Sequence, residues 1–473
     1  MATIGRENLT PGALYELVAR GNKDTFFFSK ELDKAENPFT NLYRSTEPQL
    51  GEWRTQTSTN AVDFSKMVEF QLEVFGDVLT DMYILVDMPS WLPSLPVISG
   101  GTTYPPQEAN WQNHIVSTTG NSYGWVRGIG YLLFERIQIL QDSVLLQDIS
   151  GDSLLALDQT SGSNNQYYLR SIASGMHNGS ARSIAGNATP GRLRLRIPFP
   201  CLQGLYDGGL PLCALREQNF RIRFYLRRAE TLWESSVATT VAPWNTTFNV
   251  PGIASDLGGE GRYALAAPQL LLETRQLYLA DDQIEELRKT PEGIKCPFIR
   301  YYDETFTIGE LDYAAFDRGG TSLIQRRMEG RHPMERLLLN FRKKEWLQDG
   351  QLWRIGGDEF YNTVGFYVAG QEREYPWPSA VLHTIQGLVK DDRFMASRGQ
   401  SELRWSIPEG RGLSREPTGT VNFTTASRPT LQIDLKDVAP GPDGQRTTLL
   451  QVCGESWGIY EIKDGRGRLV YLD

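Results

Sequence analysis

Apolar residues along this chain recur most often at every second position, the spacing of strands with one face in a core and one face wet. Val68, Phe70, Leu72 and Val74 alternate with Glu69, Gln71 and Glu73, and Leu193, Leu195 and Ile197 alternate with Arg192, Arg194 and Arg196. Phe220–Leu226 and Leu431–Leu435 repeat the pattern. Each predicts a half-buried strand. The 45 Gly and 25 Pro supply turns between such short strands, which favours an all-β sandwich or barrel over alternating β-α units.

Helical spacing is confined to two segments. Thr10 can cap a helix that starts at Pro11, sets Leu14, Leu17 and Val18 on one face and stops at Gly21, predicting an N-terminal arm. A second helix is predicted over about Asp281–Thr290, with Ile284 and Leu287 on one side, a Glu285/Lys289 pair on the other and Pro291 as its stop. Its place near mid-chain makes it a connector between domains. The stretches 91–124, 159–191 and 231–261 are polar or rich in Gly and Pro, and 346–398 is irregular; segments this long predict surface loops with a function.

At 473 residues the chain exceeds what one core usually supports, so two large domains are expected. Hydrophobic residues at 40% and charged residues at 22% suffice for packed cores and exclude a disordered chain. Met1–Thr10 lacks the layout of a signal peptide, and no apolar run reaches the ~18–20 residues that span a bilayer. A soluble, cytosolic chain is the expectation. Cys201, Cys213, Cys296 and Cys453 show no CxxC spacing and are expected to be reduced core thiols. A net charge of −9 argues against a protein that coats DNA by neutralising phosphates.

Candidate chemistry is sparse. His114, His177, His332 and His383 are far apart and form no HxH or HExxH pattern, so no metal site is predicted. GxSxG, P-loop and GxGxxG signatures are absent, and Arg318-Gly319-Gly320 and Gly465-Arg466-Gly467 are turns. Facing acids could make a β-sandwich a glycosidase, but Glu285-Glu286, Asp303-Glu304 and Asp391-Asp392 are each adjacent in sequence, which in a strand sends the two side chains to opposite faces. Arg326-Arg327 with Arg331, and Arg342-Lys343-Lys344, lie beside Glu329, Glu335 and Glu345; mixed charge on a strand's wet face is expected rather than a nucleic-acid site. Sequons at Asn8, Asn178, Asn187, Asn245 and Asn422 serve as loop markers. No catalytic, cofactor-binding or metal-ligating residue is assigned.

Taken in order, several segments resemble the major capsid proteins of nucleocytoplasmic large DNA viruses, the family of the iridoviruses, phycodnaviruses and giant viruses. Gly12–Gly21 followed by Phe26-Phe27-Phe28 is similar to the family's N-terminal GGLLQLVAYG-type segment. Asp77–Val86 resembles its GDLI…YL strand, Gly128–Ile137 its VGxALIxxVEL strand and Ile197–Pro200 its LPFWF-like entry. Pro211–Leu215 precedes the Arg221–Leu226 strand as LPLIAL does, and Gln276–Leu279 with Asp281-Asp282 matches the bridge between two domains. The most specific likeness is Pro417–Phe423 before Thr430–Ile433, similar to PSGTxNFS before a TLxL strand. Leu449–Leu472 resembles the last strands, departing from the commoner GGLAY at Gly467–Tyr471. The long loops depart most.

The resemblance implies a double jelly roll: an arm over 1–24, a first eight-stranded jelly roll over 25–280, a connector helix over 281–294 and a second jelly roll over 295–473. It implies a structural subunit, not an enzyme and without cofactors, that forms homotrimers of pseudo-hexagonal outline and tiles an icosahedral virion shell. Implied partners are neighbouring capsomers, minor capsid proteins, a penton protein and, through minor proteins, an internal membrane, with no direct nucleic-acid binding. Assembly is expected in host cytoplasm or a viral factory. A minor capsid or scaffold protein of the same fold, or a carbohydrate-binding or carbohydrate-active sandwich, is the alternative. The apolar run Leu469–Leu472 is expected to close the second core.

Overall fold

The computed structural model describes residues 50–89, 97–99, 102–104, 123–160, 191–202, 209–216, 218–235, 265–290, 293–348, 351–382, 401–405 and 419–470. The predicted N-terminal helix, Phe26–Phe28, the sequons other than Asn422, the histidines other than His332, Asp391-Asp392 and most of the long loops lie outside these residues.

In the first half the strands are β1 (Leu50–Thr57), β2 (Met67–Gln71), β3 (Val78–Asp87), β4 (Val97–Ser99), β5 (Thr102–Tyr104), β6 (Tyr123–Trp125), β7 (Phe134–Gln141), β8 (Val144–Ile149), β9 (Leu193–Arg196), β10 (Leu210–Pro211), β11 (Phe220–Leu226), β12 (Trp233–Ser235) and β13 (Gln269–Tyr278). One sheet runs β1-β13-β3-β10 with β9 also on β3, and the other runs β2-β11-β7-β8. The second half holds β14 (Ile294–Ile308), β15 (Ser322–Arg327), β16 (Pro333–Lys343), β17 (Tyr361–Val368), β18 (Gln371–Pro378), β19 (Ser401–Arg404), β20 (Val421–Asn422), β21 (Thr430–Leu435), β22 (Thr448–Lys463) and β23 (Arg466–Val470). Its sheets run β14-β22-β16-β19, with β20 on β16 and β23 on β22, and β15-β21-β17-β18.

Numbering the eight principal strands of each half from one to eight gives the same pair of antiparallel sheets twice, 1-8-3-6 facing 2-7-4-5. In both halves the sixth strand is broken into two short pieces, β9 with β10 and β19 with β20, which pair with different parts of strand three. This is a jelly roll in tandem with another, the double jelly roll the sequence leads one to expect.

The predicted alternation is realised where it was strongest. On β11, Phe220, Ile222, Phe224 and Leu226 are buried while Arg221, Arg223 and Tyr225 between them are partly exposed. Arg223 lies opposite Glu69 in the register, and the two form a 2.6 Å ion pair across the strands. On β21, Leu431, Ile433 and Leu435 are fully buried.

Three departures have physical causes. Gly151–Thr160 is a helix where none was predicted, and Ile129–Leu132 is a helical turn ahead of β7 where a continuous strand was expected. Ser150 starts the former, its Oγ accepting from the Ser153 N–H. The short apolar run Leu154–Leu157 carries no helical spacing that would reveal it. The stretch 346–398, expected to be irregular, contains β17 and β18. Register shifts break the alternation of β17, and β18 is a sheet edge carrying Pro376 and Pro378.

We label the helices α1 (Ile129–Leu132), α2 (Gly151–Thr160), α3 (Asp281–Lys289), α4 (Glu310–Tyr313) and α5 (Lys344–Gln348). Helix α3 lies between strands β13 and β14, within a residue of its predicted limits, and carries the Glu285–Lys289 pair. Ile284 and Leu287 are only partly buried on it; Arg288 Nε donates to the Cys213 carbonyl at 3.0 Å and ties the helix to the first half.

Candidate functional site: the seam between the two jelly rolls

Two strands of the second half, β16 and β22, are buried on both faces. On β16, Met334, Leu337, Leu339 and Phe341 enter the second core, while Leu338 joins the apolar cluster of the first. Phe298 of β14 and Cys453, Tyr460 and Ile462 of β22 join that first cluster too. The outer face of the second 1-8-3-6 sheet is therefore an internal surface, covered by the first jelly roll.

Polar groups at this seam are matched across it. Asp152, in the first turn of α2, pairs with Arg227 of its own half and with Arg342 Nη1 of β16 at 2.6 Å. Burial opposes ionisation of Asp152, but the charges of Arg227 and Arg342 outweigh it and hold the carboxyl well below the usual carboxylate range. Beside it, Ser153 Oγ donates to Asp303 of β14 at 2.9 Å, and Gln451 Nε2 donates to Asp303 at 3.1 Å. Gly151 is required here: a Cβ would come within 2.1 Å of the Tyr131 carbonyl oxygen and 2.2 Å of that of Phe134. Any side chain at 151 would push α2 off α1 and draw Asp152 away from its partners.

A second polar group closes the far end of β22. Tyr460 Oη donates to Gln141 Oε1 at 2.9 Å, while Gln141 Nε2 and the Gly467 N–H both donate to Gln218 Oε1 at 2.6 Å. Leu469 of β23, the first residue of the C-terminal apolar run, packs against the first cluster instead of closing the second core as expected; Tyr471 and Leu472 lie outside the described residues.

The third contact surrounds Trp353. Its ring lies under the Arg127 guanidinium at 4.4 Å, and its indole N–H donates to Glu234 at 3.2 Å. Burial pushes the Glu234 carboxyl up, offset only in part by the charge of Arg127 and the hydrogen bonds from Trp353 and Arg127. A carboxyl raised on folding contributes its full stability below its unfolded value, near 4.3, and loses it as pH climbs through the folded value. Glu234→Gln is therefore expected to gain on the wild type as pH rises from 4.5 to 7, by up to about 1 kcal/mol. Urea unfolding at both pH values measures the gap; a gap that widens toward low pH contradicts the assignment.

The candidate residues from the sequence fare unevenly. Arg342 is not on a wet face: the seam buries it, and Asp152, not a neighbouring glutamate, is its partner. Glu335 is buried as well, accepting from Trp457 Nε1 at 2.9 Å and pairing with Arg404. Arg326 pairs with Asp312 at 2.7 Å. Asp303 and Glu304 do point to opposite faces, Asp303 into the seam and Glu304 toward the Glu329 N–H at 3.3 Å. Cys201 and Cys453 are buried thiols, and burial pushes Cys453 up; Cys213 is half-buried and free, and the side chain of Cys296 lies outside the described residues. His332 sits at a positive φ of 71° with its ring nitrogen 2.7 Å from Arg300, a structural position. Among the described residues no three His, Cys, Asp or Glu side chains cluster to hold a metal ion, and no helix is long and apolar enough to cross a membrane.

Two eight-stranded jelly rolls joined through a buried seam define the class: a double jelly-roll protein. Solved structures of viral shells share it. A chain of the PBCV-1 virus capsid superposes with a TM-score of 0.65 at 14% identity, covering 92% of this chain and 100% of that one. The Faustovirus major capsid protein superposes with a TM-score of 0.62 at 10% identity, over 96% of this chain and 97% of that one. At such identities the likeness is one of fold. No protein-family model matches the sequence, nor does any curated protein.

Proposed function

We propose that this chain is a major capsid protein, a structural subunit that trimerises and tiles the icosahedral shell of a large DNA virus. The observation that carries the reading is that the double jelly roll superposes, over nearly the full length of each chain, on chains of two viral capsids. The physical sense is rigidity: a seam with an apolar core and matched charges makes two sandwiches one block, as a shell tile must be. Residues 25–280 and 295–473 are taken as the two jelly rolls, 281–294 as the connector and 1–24 as an arm.

On this reading the subunit does no chemistry, and its partners are copies of itself, neighbouring capsomers, minor capsid proteins and a penton protein. Its place is the virion shell, after assembly in host cytoplasm or a viral factory. Light scattering of the purified chain is expected to give about 160 kDa, three times 53.4 kDa. A stable 53.4 kDa monomer at micromolar concentration would sink the proposal.

A further inference from the structure

Some polar atoms buried at the seam have no partner in the chain. By the alternation of β16, Asn340 shares the seam face with Leu338 and Arg342, and the register sets it opposite Gln451 of β22. Asn340 is fully buried, and neither its Nδ2 nor its Oδ1 meets a hydrogen-bond partner among the described residues. Gln451 directs Nε2 to Ser150, Ser153 and Asp303, and its buried Oε1 is unpaired. Arg342 gives Nη1 to Asp152, while its buried Nε and Nη2 are unpaired among the described residues. Buried polar groups are almost always satisfied, so a run of unpaired atoms on three adjacent side chains marks a site for something other than the chain itself.

Geometry and charge define what fits. Nε and Nη2 are the side-on fork of the guanidinium, two parallel N–H groups that grip a pair of oxygens or a single halide. Arg227 and Arg342 bring two positive charges, and among the described residues Asp152 is the one carboxylate within ion-pair distance of either. Asp303 stands in the row of Leu338, roughly 13 Å along the strand from Arg342, where it already accepts from Ser153 and Gln451. The two arginines therefore hold one positive charge in excess, in a place where an unmatched charge is costly. Water would meet the hydrogen bonds but leave that charge. An anion meets both. Thr305 and Thr307, on the same face of β14 as Asp303, are exposed, so ions in solution have an approach from the β14 side.

We propose that the seam carries a binding site for one small inorganic anion, seated on the Nε–Nη2 fork of Arg342 and the amide N–H of Asn340. The Asn340 amide turns one N–H to the anion and the other to Gln451 Oε1 across the strands. The anion completes the charge balance of the Arg227–Asp152–Arg342 cluster and so helps to fasten the two jelly rolls together. All of these groups lie within one chain, and the site holds whether or not the chain builds a shell.

The test uses the full-length chain at pH 7, dialysed into a buffer whose only anion is a bulky sulfonate. Sodium chloride or sodium phosphate is then added against the sulfonate salt at equal ionic strength. One or both are expected to raise the melting temperature by about 2–4 °C near saturation, and which of them does so tells a halide site from an oxyanion site. Asn340→Asp sets a carboxylate of the chain's own beside the fork; it is expected to melt above the wild type in the sulfonate buffer and to lose the response to added anion. Asn340→Leu, close in volume, should fold and lose most of the response. An Asn340→Asp chain that melts below the wild type overturns the site and assigns the unpaired atoms to buried water. So does a wild type indifferent to both anions, and a response that survives in both variants overturns it by placing the anion elsewhere. None of these results bears on the capsid reading, which the light-scattering mass decides.

Discussion

Asp152→Ala is expected to lower the free energy of unfolding by about 3–5 kcal/mol, the cost of leaving a buried ion pair without one partner. The effect is large because one carboxylate serves two arginines. Arg227 and Arg342, whose side chains are 15% and 6% exposed, would both retain charge with no counter-ion in a site that water scarcely reaches. Because Arg342 belongs to the second jelly roll and Asp152 to the first, the loss falls on their attachment. Calorimetry is therefore expected to show one melting transition for the wild type and two for Asp152→Ala.

A triple replacement separates charge from packing. With Asp152→Leu, Arg227→Met and Arg342→Met together, no charge is left buried, and most of the lost stability should return. A triple variant as unstable as Asp152→Ala would mean that the seam needs the hydrogen bonds themselves. The pH dependence has a fixed sign. The folded carboxyl is depressed, so its contribution is complete above the unfolded value near 3.9 and declines only as pH falls toward the folded one. The gap between wild type and Asp152→Ala should thus hold from pH 8 to about pH 5 and narrow in stronger acid.

The seam shows where sequence reasoning stops. Alternation locates strands that have one wet face, as in β11 and β21, because solvent imposes the polar half of the pattern. A strand covered on both faces has no such imprint. Leu337-Leu338-Leu339 in β16 is such an interruption, and it is the signal by which a second buried face could be found. Beyond it, Arg342 and Glu335 look like surface charges, since their partners stand 190 and 69 residues away in the chain. Asp152 had no signal except its place after Ser150 and Gly151. Helix α3 was legible to within a residue because its caps, its charge pair and its proline stop are all local. Edge strand β18 was hidden by Pro376 and Pro378, which an edge tolerates and an inner strand does not.

The segment with the most specific family likeness also has a physical explanation, and it leads to the second large effect. Phe423→Ala is expected to cost about 3–5 kcal/mol. Phe423 is 4% exposed and fills the second core, its ring stacked on Phe366 at 5.5 Å and edge-on to Trp405 at 6.0 Å. A tight turn delivers it there: its N–H donates to the His332 carbonyl at 3.0 Å, Asn422 Oδ1 accepts from the Thr424 N–H at 2.9 Å, and the Asn422 carbonyl accepts from the Ala426 N–H at 2.9 Å. Across the core, Gly330 leaves the room that the ring occupies; a Cβ there would come within 2.8 Å of it. Phe423→Leu, which keeps most of the volume, should lose far less than Phe423→Ala. Phe423 lies in the second core and the Asp152 cluster at the seam, and they share no partner among the described residues, so in calorimetry Phe423→Ala added to Asp152→Ala should lower the melting of the second jelly roll and leave that of the first where Asp152→Ala alone puts it. A first jelly roll that also melts lower would mean that the seam and the second core behave as one network rather than as two independent sites.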